Sequence, residues 1–257
     1  MKRLSAVIAL VLSAVACLSA QNLEHQLLKH IEYLTSGELA GRKAGSEGER
    51  KAAQYLYDQL ERAGVTMLTG REGSTFSIAT PEGDTIHTCN VVGVLQGYDS
   101  ELRDEYIVIG AHLDGLGQYA LTVDGEPRES YFQGADANAS GVAALIEVAK
   151  MASQGALFQR RSIIFAGFGA SEREFAGSRY FALNGGFGSI SSVKVMINLD
   201  MLGRGDSYNP FRIWSPVAPS TISSMMNYVK EHETVTTMPT IASGTIFPSD
   251  YLPFYQA

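Results

Sequence analysis

The sequence predicts a three-layer α/β/α domain, and two observations predict it. Short β-branched runs alternate along the chain with segments of helical period, and such alternation builds a sheet covered by helices. Several of the runs, such as YIVIGA at 106–111 and SIIFAGF at 162–168, are apolar at nearly every position. That is the composition of strands buried on both faces, since a half-exposed strand alternates apolar with polar residues. The central sheet is therefore expected to be mixed and largely parallel. A chain of 257 residues with 45% hydrophobic content can bury a full core as one domain.

The first twenty residues, MKRLSAVIALVLSAVACLSA, are of different material. Lys2 and Arg3 precede an apolar run from Leu4 to about Leu18 that ends in small residues, the layout of a secretory signal peptide. The expected division is a leader over 1–20 and one domain over 21–257, secreted or periplasmic. Cleavage before Cys17 and cleavage before Gln21 both fit. Cys17 as a lipid-bearing cysteine is the alternative, and only then does the chain sit at a membrane. Losing Lys2 and Arg3 takes the 20 basic residues to 18 against 27 acidic ones, a net charge of −9. With no dense Lys/Arg cluster, nucleic acid is excluded as a partner. Cys89 is the one cysteine that remains wherever cleavage falls, so no internal disulfide is expected. Its setting, HTCNVVGVL, is that of a buried small hydrophobe.

Past the leader, apolar residues at 23, 27, 28, 31 and 34 mark a first helix. Ser46 and Glu49 form a capping box for a second, with an apolar stripe at 53, 56, 60 and 63 and a stop at Gly64. Strands are expected at 90–95, 106–111, 162–168, 193–199 and 211–214, and further helices at 139–151, 175–183 and 220–230. The segment from Gln118 to Gly134 reads as an inserted surface loop.

In open α/β sheets, function collects beyond the carboxyl ends of the strands. Those ends carry His112 and Asp114, then Ser171 and Glu172, then Asp200, while Asp136 in GADANASG precedes a helix. Each has a local reading: Asp136 and Asn138 as helix caps, Asp200 as a turn residue before Gly203, Glu172 as a first-turn carboxylate. Together on one rim, uncompensated carboxylates repel one another. A divalent cation removes the repulsion, and mixed imidazole and carboxylate ligation suits zinc. Two other motifs fail. GFGASE after a strand has Glu172 where a dinucleotide loop needs its third glycine, and no G-x-S-x-G elbow is present. The sequon Asn138-Ala139-Ser140 reads as a cap rather than a glycosylation site.

The segments LTSGELAGRKAGSEGERKAAQYL, NVVGVLQG, GAHLDGLG, GADANASGVAALIEVA, FAGFGASEREFAGSRYF, INLDMLGR and SDYLPFY occur in that order over residues 30–257. The chain resembles the secreted di-zinc aminopeptidases, a family related to glutamate carboxypeptidases and glutaminyl cyclases. The resemblance implies a zinc-exopeptidase-like fold and release of N-terminal residues from peptides with a free amino terminus. It implies His112 as a zinc ligand oriented by Asp114, Asp136 as the carboxylate bridging two metals, and Glu172 and Asp200 as further ligands.

This chain departs from the family pattern in ways that bear on activity. The second acidic residue of the GAD motif is replaced by Ala137. The general-base position holds Ser171 in place of Glu, and a serine hydroxyl does not take a proton from water at neutral pH as a carboxylate does. Glu174, two residues along a turn, is aimed elsewhere. The family's last ligand is a histidine beyond the SDYLPFY-like segment, whereas no histidine follows His232. A C-terminal strand and helix of the family pattern are expected to be missing. One zinc is therefore expected, on His112, Asp136 and Asp200, since its partner site keeps only Asp136 and Glu172. The expected function is an aminopeptidase with impaired activity; the alternatives are a non-catalytic peptide-binding relative and an unstable truncated product.

Overall fold

The structure, a computed structural model, describes residues 22–156, 159–185, 189–205, 212–216, 219–232, 240–243 and 246–257. The expected leader, with Cys17, lies outside them. No helix among the described residues is long and apolar enough to cross a membrane.

Helix α1 covers residues 22–34 and is followed by α2 (Glu47–Arg62). Ser46 caps α2 by accepting the Glu49 amide at 3.3 Å, and Gly64 ends the turn beyond it at φ +85°. The second half of the expected capping box is altered. The Glu49 carboxylate accepts the Gly45 amide instead of the cap residue's, and it is buried.

The main sheet contains β1 (Thr66–Met67), β2 (Ser74–Ala79), β3 (Thr85–Leu95), β4 (Tyr106–His112), β7 (Ser162–Phe168) and β8 (Val193–Asn198). Its order is β1-β3-β7-β4-β8, with β2 also paired to β3. The sheet is mixed: β7, β4 and β8 run parallel, while β3 is antiparallel to β7, β1 and β2. The parallel part is thus three strands wide. The segment expected as a loop over 118–134 contains an antiparallel hairpin, β5 (Gln118–Val123) and β6 (Glu126–Tyr131). Its two-residue turn is Asp124-Gly125, with φ of +54° and +83°, the dipeptide such turns favour.

Alternation along the strands divides the core. Ile109, Ala111, Ile163 and Phe165 pack beneath α2 and α3 (Gly141–Met151), together with Leu56, Leu60, Leu145 and Ile146. Val108, Ile164, Ala166 and Phe168 point to the other face and meet Phe181 of α4 (Ala176–Asn184) and Phe254 of α6 (Leu252–Gln256). Burying an aliphatic or aromatic side chain of this size contributes about 1.5–3 kcal/mol. This double coverage explains why β4 and β7 are so apolar, and it gives the three layers. Strand β9 (Arg212–Ser215) pairs in parallel with β10 (Thr240–Ser243) as a separate two-stranded sheet, and α5 (Pro219–His232) lies between them in sequence.

Candidate active site

Because β4, β7 and β8 are parallel, His112, the turn after Phe168 and Asp200 all emerge on one rim. The turn after β7 is held from three sides. Asn90 accepts the Gly169 amide at 3.1 Å and donates to the Gly177 carbonyl at 2.9 Å. Glu49 accepts the Ala170 amide at 3.1 Å and the Thr88 hydroxyl at 2.8 Å. Asp114, fully buried, accepts the amides of Ser171 at 2.8 Å and Glu172 at 3.0 Å. These bonds hold a strained path, since Ala170, Glu174 and Phe175 all adopt φ between +53° and +59°. Gly177 is required by close approach: a Cβ there would lie 2.2 Å from the Gly169 carbonyl.

A pocket of about 160 Å³ opens on this rim, lined by His112, Ala137, Ser171, Glu172, Phe175, Asp200, Met201 and Asp250. His112 Nδ1 lies 3.0 Å from the Asp114 carbonyl oxygen, which fixes the imidazole and assigns that nitrogen its proton. Nε2 faces Asp200 Oδ1 at 3.5 Å. Burial opposes a charge on His112, but Asp114 and Asp200 outweigh it and hold its pKa well above the ordinary imidazole value. Burial likewise acts to raise Asp200, and the His112 ring and the Ser249 hydroxyl, 3.2 Å from Oδ2, bring it below the usual carboxylate range. Burial pushes Glu172 up. Ser171 donates its hydroxyl proton to Asp250 Oδ1 at 2.8 Å. Asp250 is buried, and desolvation raises its pKa to about 6.

Asp136 is not among the residues lining this pocket. Its Oδ1 accepts the Gly203 amide at 3.0 Å, and its Oδ2 is paired with the Arg204 guanidinium. The residue of this loop that lines the pocket is Ala137. Asn138 performs the capping its sequence suggests, accepting the Gly141 amide at 3.2 Å while its side-chain amide donates to the Leu199 carbonyl at 2.8 Å. Glu174 is outside the pocket lining.

Of the sequence-predicted residues, the structure thus brings His112, Ser171, Glu172 and Asp200 into one pocket and sets Asp114 behind them. Three further residues escape sequence reasoning. Asp250 follows Ser249 at the start of a short helix and reads there as turn chemistry. Glu49 reads as half of a capping box. Arg42, in a glycine-rich loop, is buried and donates to the carbonyls of Leu34, Leu113, Gln133 and Gly134, so it ties the loop after β4 to the loop carrying Asp136.

Zinc sets a distance condition on any pair of its ligands. Two ligands at Zn–N and Zn–O distances near 2.1 Å and a tetrahedral angle stand about 3.4 Å apart, and His112 Nε2 and Asp200 Oδ1 stand 3.5 Å apart. With Nδ1 donating to the Asp114 carbonyl, Nε2 is the nitrogen turned toward Asp200, and a cation there would take the place of its proton. Glu172 lines the same pocket, yet among the described residues no three His, Cys, Asp or Glu side chains close on a common point. The spacing of the His112–Asp200 pair fits a shared cation.

Comparisons with known proteins place the chain among relatives. The chain is 25% identical over 230 residues to leupeptin-inactivating enzyme 1 of Streptomyces exfoliatus, covering 90% of this chain and 45% of that protein. The chain therefore spans about half the length of this relative. The fold is similar to that of a leucine aminopeptidase precursor from Bacteroides thetaiotaomicron VPI-5482, with a TM-score of 0.66 and 18% identity over 91% of this chain and 81% of that one. It is also similar to a Zn-dependent exopeptidase from Parabacteroides distasonis ATCC 8503, with a TM-score of 0.64 and 16% identity over 90% and 80% of the two chains. At these identities the structural likeness shows the fold. The family model described as peptidase family M28 matches residues 90–257, a span that takes in every residue of the pocket, and the chain belongs to that family.

Proposed function

We propose that this chain is a metal-dependent aminopeptidase that releases residues from the free amino terminus of peptides and works with one zinc ion. The observation that carries the reading is the His112–Asp200 pair, spaced at 3.5 Å to share a cation inside a pocket that also holds Glu172. His112 and Asp200 would hold the metal, with Glu172 lining the same pocket, and the metal would supply polarisation of the scissile carbonyl and a lowered pKa for water. The chain's own residues do the rest. The Asp114 carbonyl fixes the imidazole, and the Asp114 carboxylate sets the turn that presents Ser171 and Glu172. Glu172, Asp200 and Asp250 make the pocket acidic, which favours the α-ammonium of a peptide over its carboxylate.

Export by an N-terminal leader belongs to the same proposal, with a membrane tether if Cys17 is lipidated. A second reading, a peptide-binding protein without catalysis, is favoured by Ser171 at the general-base position and by Ala137 in the pocket. Hydrolysis of a leucyl chromogenic amide, compared with its N-acetylated form and with chelator present, separates the two. Turnover of the free amine alone, lost with chelator and restored by zinc, supports the enzyme. Peptide binding without turnover at any zinc concentration supports the second reading.

A further inference from the structure

The pocket holds a carboxylate–hydroxyl pair to which the reading above gives no task. Ser171 Oγ and Asp250 Oδ1 are 2.8 Å apart, both residues are buried, and both line the pocket. A hydroxyl has one proton, and Ser171 gives it to Asp250. Its lone pairs are therefore left to accept from whatever occupies the pocket.

Three other carboxylates near the turn are held by partners. Asp114 has one amide on each oxygen. Asp200 faces His112 and Ser249, Asp136 is held by Gly203 and Arg204, and Glu172 is the remaining candidate ligand. Among the described residues Asp250 accepts the Ser171 hydroxyl, while the Ser178 hydroxyl gives its proton to the Phe175 carbonyl. A carboxylate buried against a hydroxyl is placed to take that hydroxyl's proton.

We propose that Ser171 and Asp250 act together as the general base of this pocket, Ser171 passing a proton from the attacking water to Asp250. As the water oxygen bonds to the scissile carbonyl carbon, one of its protons moves to Ser171 Oγ. The Ser171 hydroxyl proton moves to Asp250 Oδ1 at the same time. When the C–N bond breaks, the proton returns through Ser171 to the leaving nitrogen, giving a carboxylic acid and a free amine with no net change in the protein. The relay rests on the aminopeptidase reading and explains how a chain with serine at the base position keeps its catalysis.

The test uses the full chain with zinc and the leucyl chromogenic amide. Asp250→Asn is expected to lower kcat by about 10²–10⁴-fold, with KM changed by less than about threefold. Ser171→Glu placed in the Asp250→Asn background is expected to restore turnover, because the new carboxylate reaches the water directly and the carboxamide introduced at position 250 donates to it. A merely structural role for Asp250 does not predict that rescue. Asp250→Asn with wild-type kcat overturns the relay, as does a folded, zinc-binding double variant that stays inactive. A covalent acyl group trapped on Ser171 also overturns it, since that makes the serine a nucleophile. Should Asp250→Asn not fold, Ser171→Ala carries the test: reduced kcat at unchanged KM supports the relay, and unchanged kcat overturns it. A wild-type chain with no turnover removes the aminopeptidase reading and the relay with it, whereas turnover indifferent to Asp250 removes the relay alone.

Discussion

Asp136 and Arg204 are paired at the rim of the sheet, the guanidinium closing on Oδ2 while the Gly203 amide takes Oδ1. The pair stitches the loop before α3 to the loop after β8, and it leaves Ala137 as the loop's contribution to the pocket. The Arg204 side chain is 79% exposed, so the ion pair itself contributes little, about 0–1 kcal/mol.

Zinc affinity is expected to follow this arrangement. Asp136→Asn leaves the zinc dissociation constant within about threefold, because Asp136 is engaged elsewhere. Asp200→Asn raises it by at least about tenfold, because it removes half of the 3.5 Å donor pair. Competition titration against a chromogenic chelator checks both, and a larger effect at Asp136 than at Asp200 contradicts the ligand set.

Asp114 is expected to be the most sensitive position behind the pocket. Asp114→Ala leaves the amides of Ser171 and Glu172 without acceptors. At about 1–3 kcal/mol per orphaned group, the loss is about 4 kcal/mol. Asp114→Asn keeps one acceptor and loses about half as much. Urea denaturation midpoints give the comparison, and equal losses for the two variants contradict the two-amide account.

Arg42 clamps four carbonyls through Nε, Nη1 and Nη2. Lysine keeps the charge but not the planar fork, so Arg42→Lys is expected to lose about 2–4 kcal/mol. The same variant should speed hydrogen exchange at 113–117 and 133–136, measurable by mass spectrometry. Unchanged exchange in both segments contradicts the clamp.

Glu49 gives a pH dependence whose sign is fixed by its burial. Desolvation raises its pKa from 4.5 to about 7 in the folded protein. Between those values the folded state keeps a proton that the unfolded chain has released, so this contribution is fully present below about pH 4.5 and is lost as pH rises through about 7. Its amplitude is at most about 3 kcal/mol. Glu49→Gln is expected to be less stable at pH 5, because the Gly45 amide or the Thr88–Ala170 pair loses its acceptor. It should also lack the slope between pH 5 and 8. Thermal melts across that range measure both, and a slope that persists in the variant assigns it to another group.

How much of this was legible in the chain differs by element. Strands β4 and β7 are visible because burial on both faces leaves them apolar almost throughout, and a short apolar run bounded by turns reads as a strand. Strand β2, STFSIA, lies at the sheet's margin with alternating exposure, and nothing in it separates strand from loop. The β5–β6 hairpin carried its signal in Asp124-Gly125, but its strands are largely exposed and lack the apolar alternation that usually marks a pair. Residues 206–211, including the expected strand start at Phe211, lie outside the described residues.

The site divides along a similar line. By itself the sequence determined that His112, Asp114, Ser171, Glu172 and Asp200 stand at strand ends, because strand periodicity sets where an apolar run stops. Tertiary structure alone decided which polar groups face one another. It put Asp136 on Arg204, Ala137 in the pocket, and Asp250, 79 residues along the chain, on the Ser171 hydroxyl. The physical reason is range: burial patterns are local and periodic, whereas a hydrogen bond between distant loops depends on how the intervening layers pack, and no short stretch of residues encodes that.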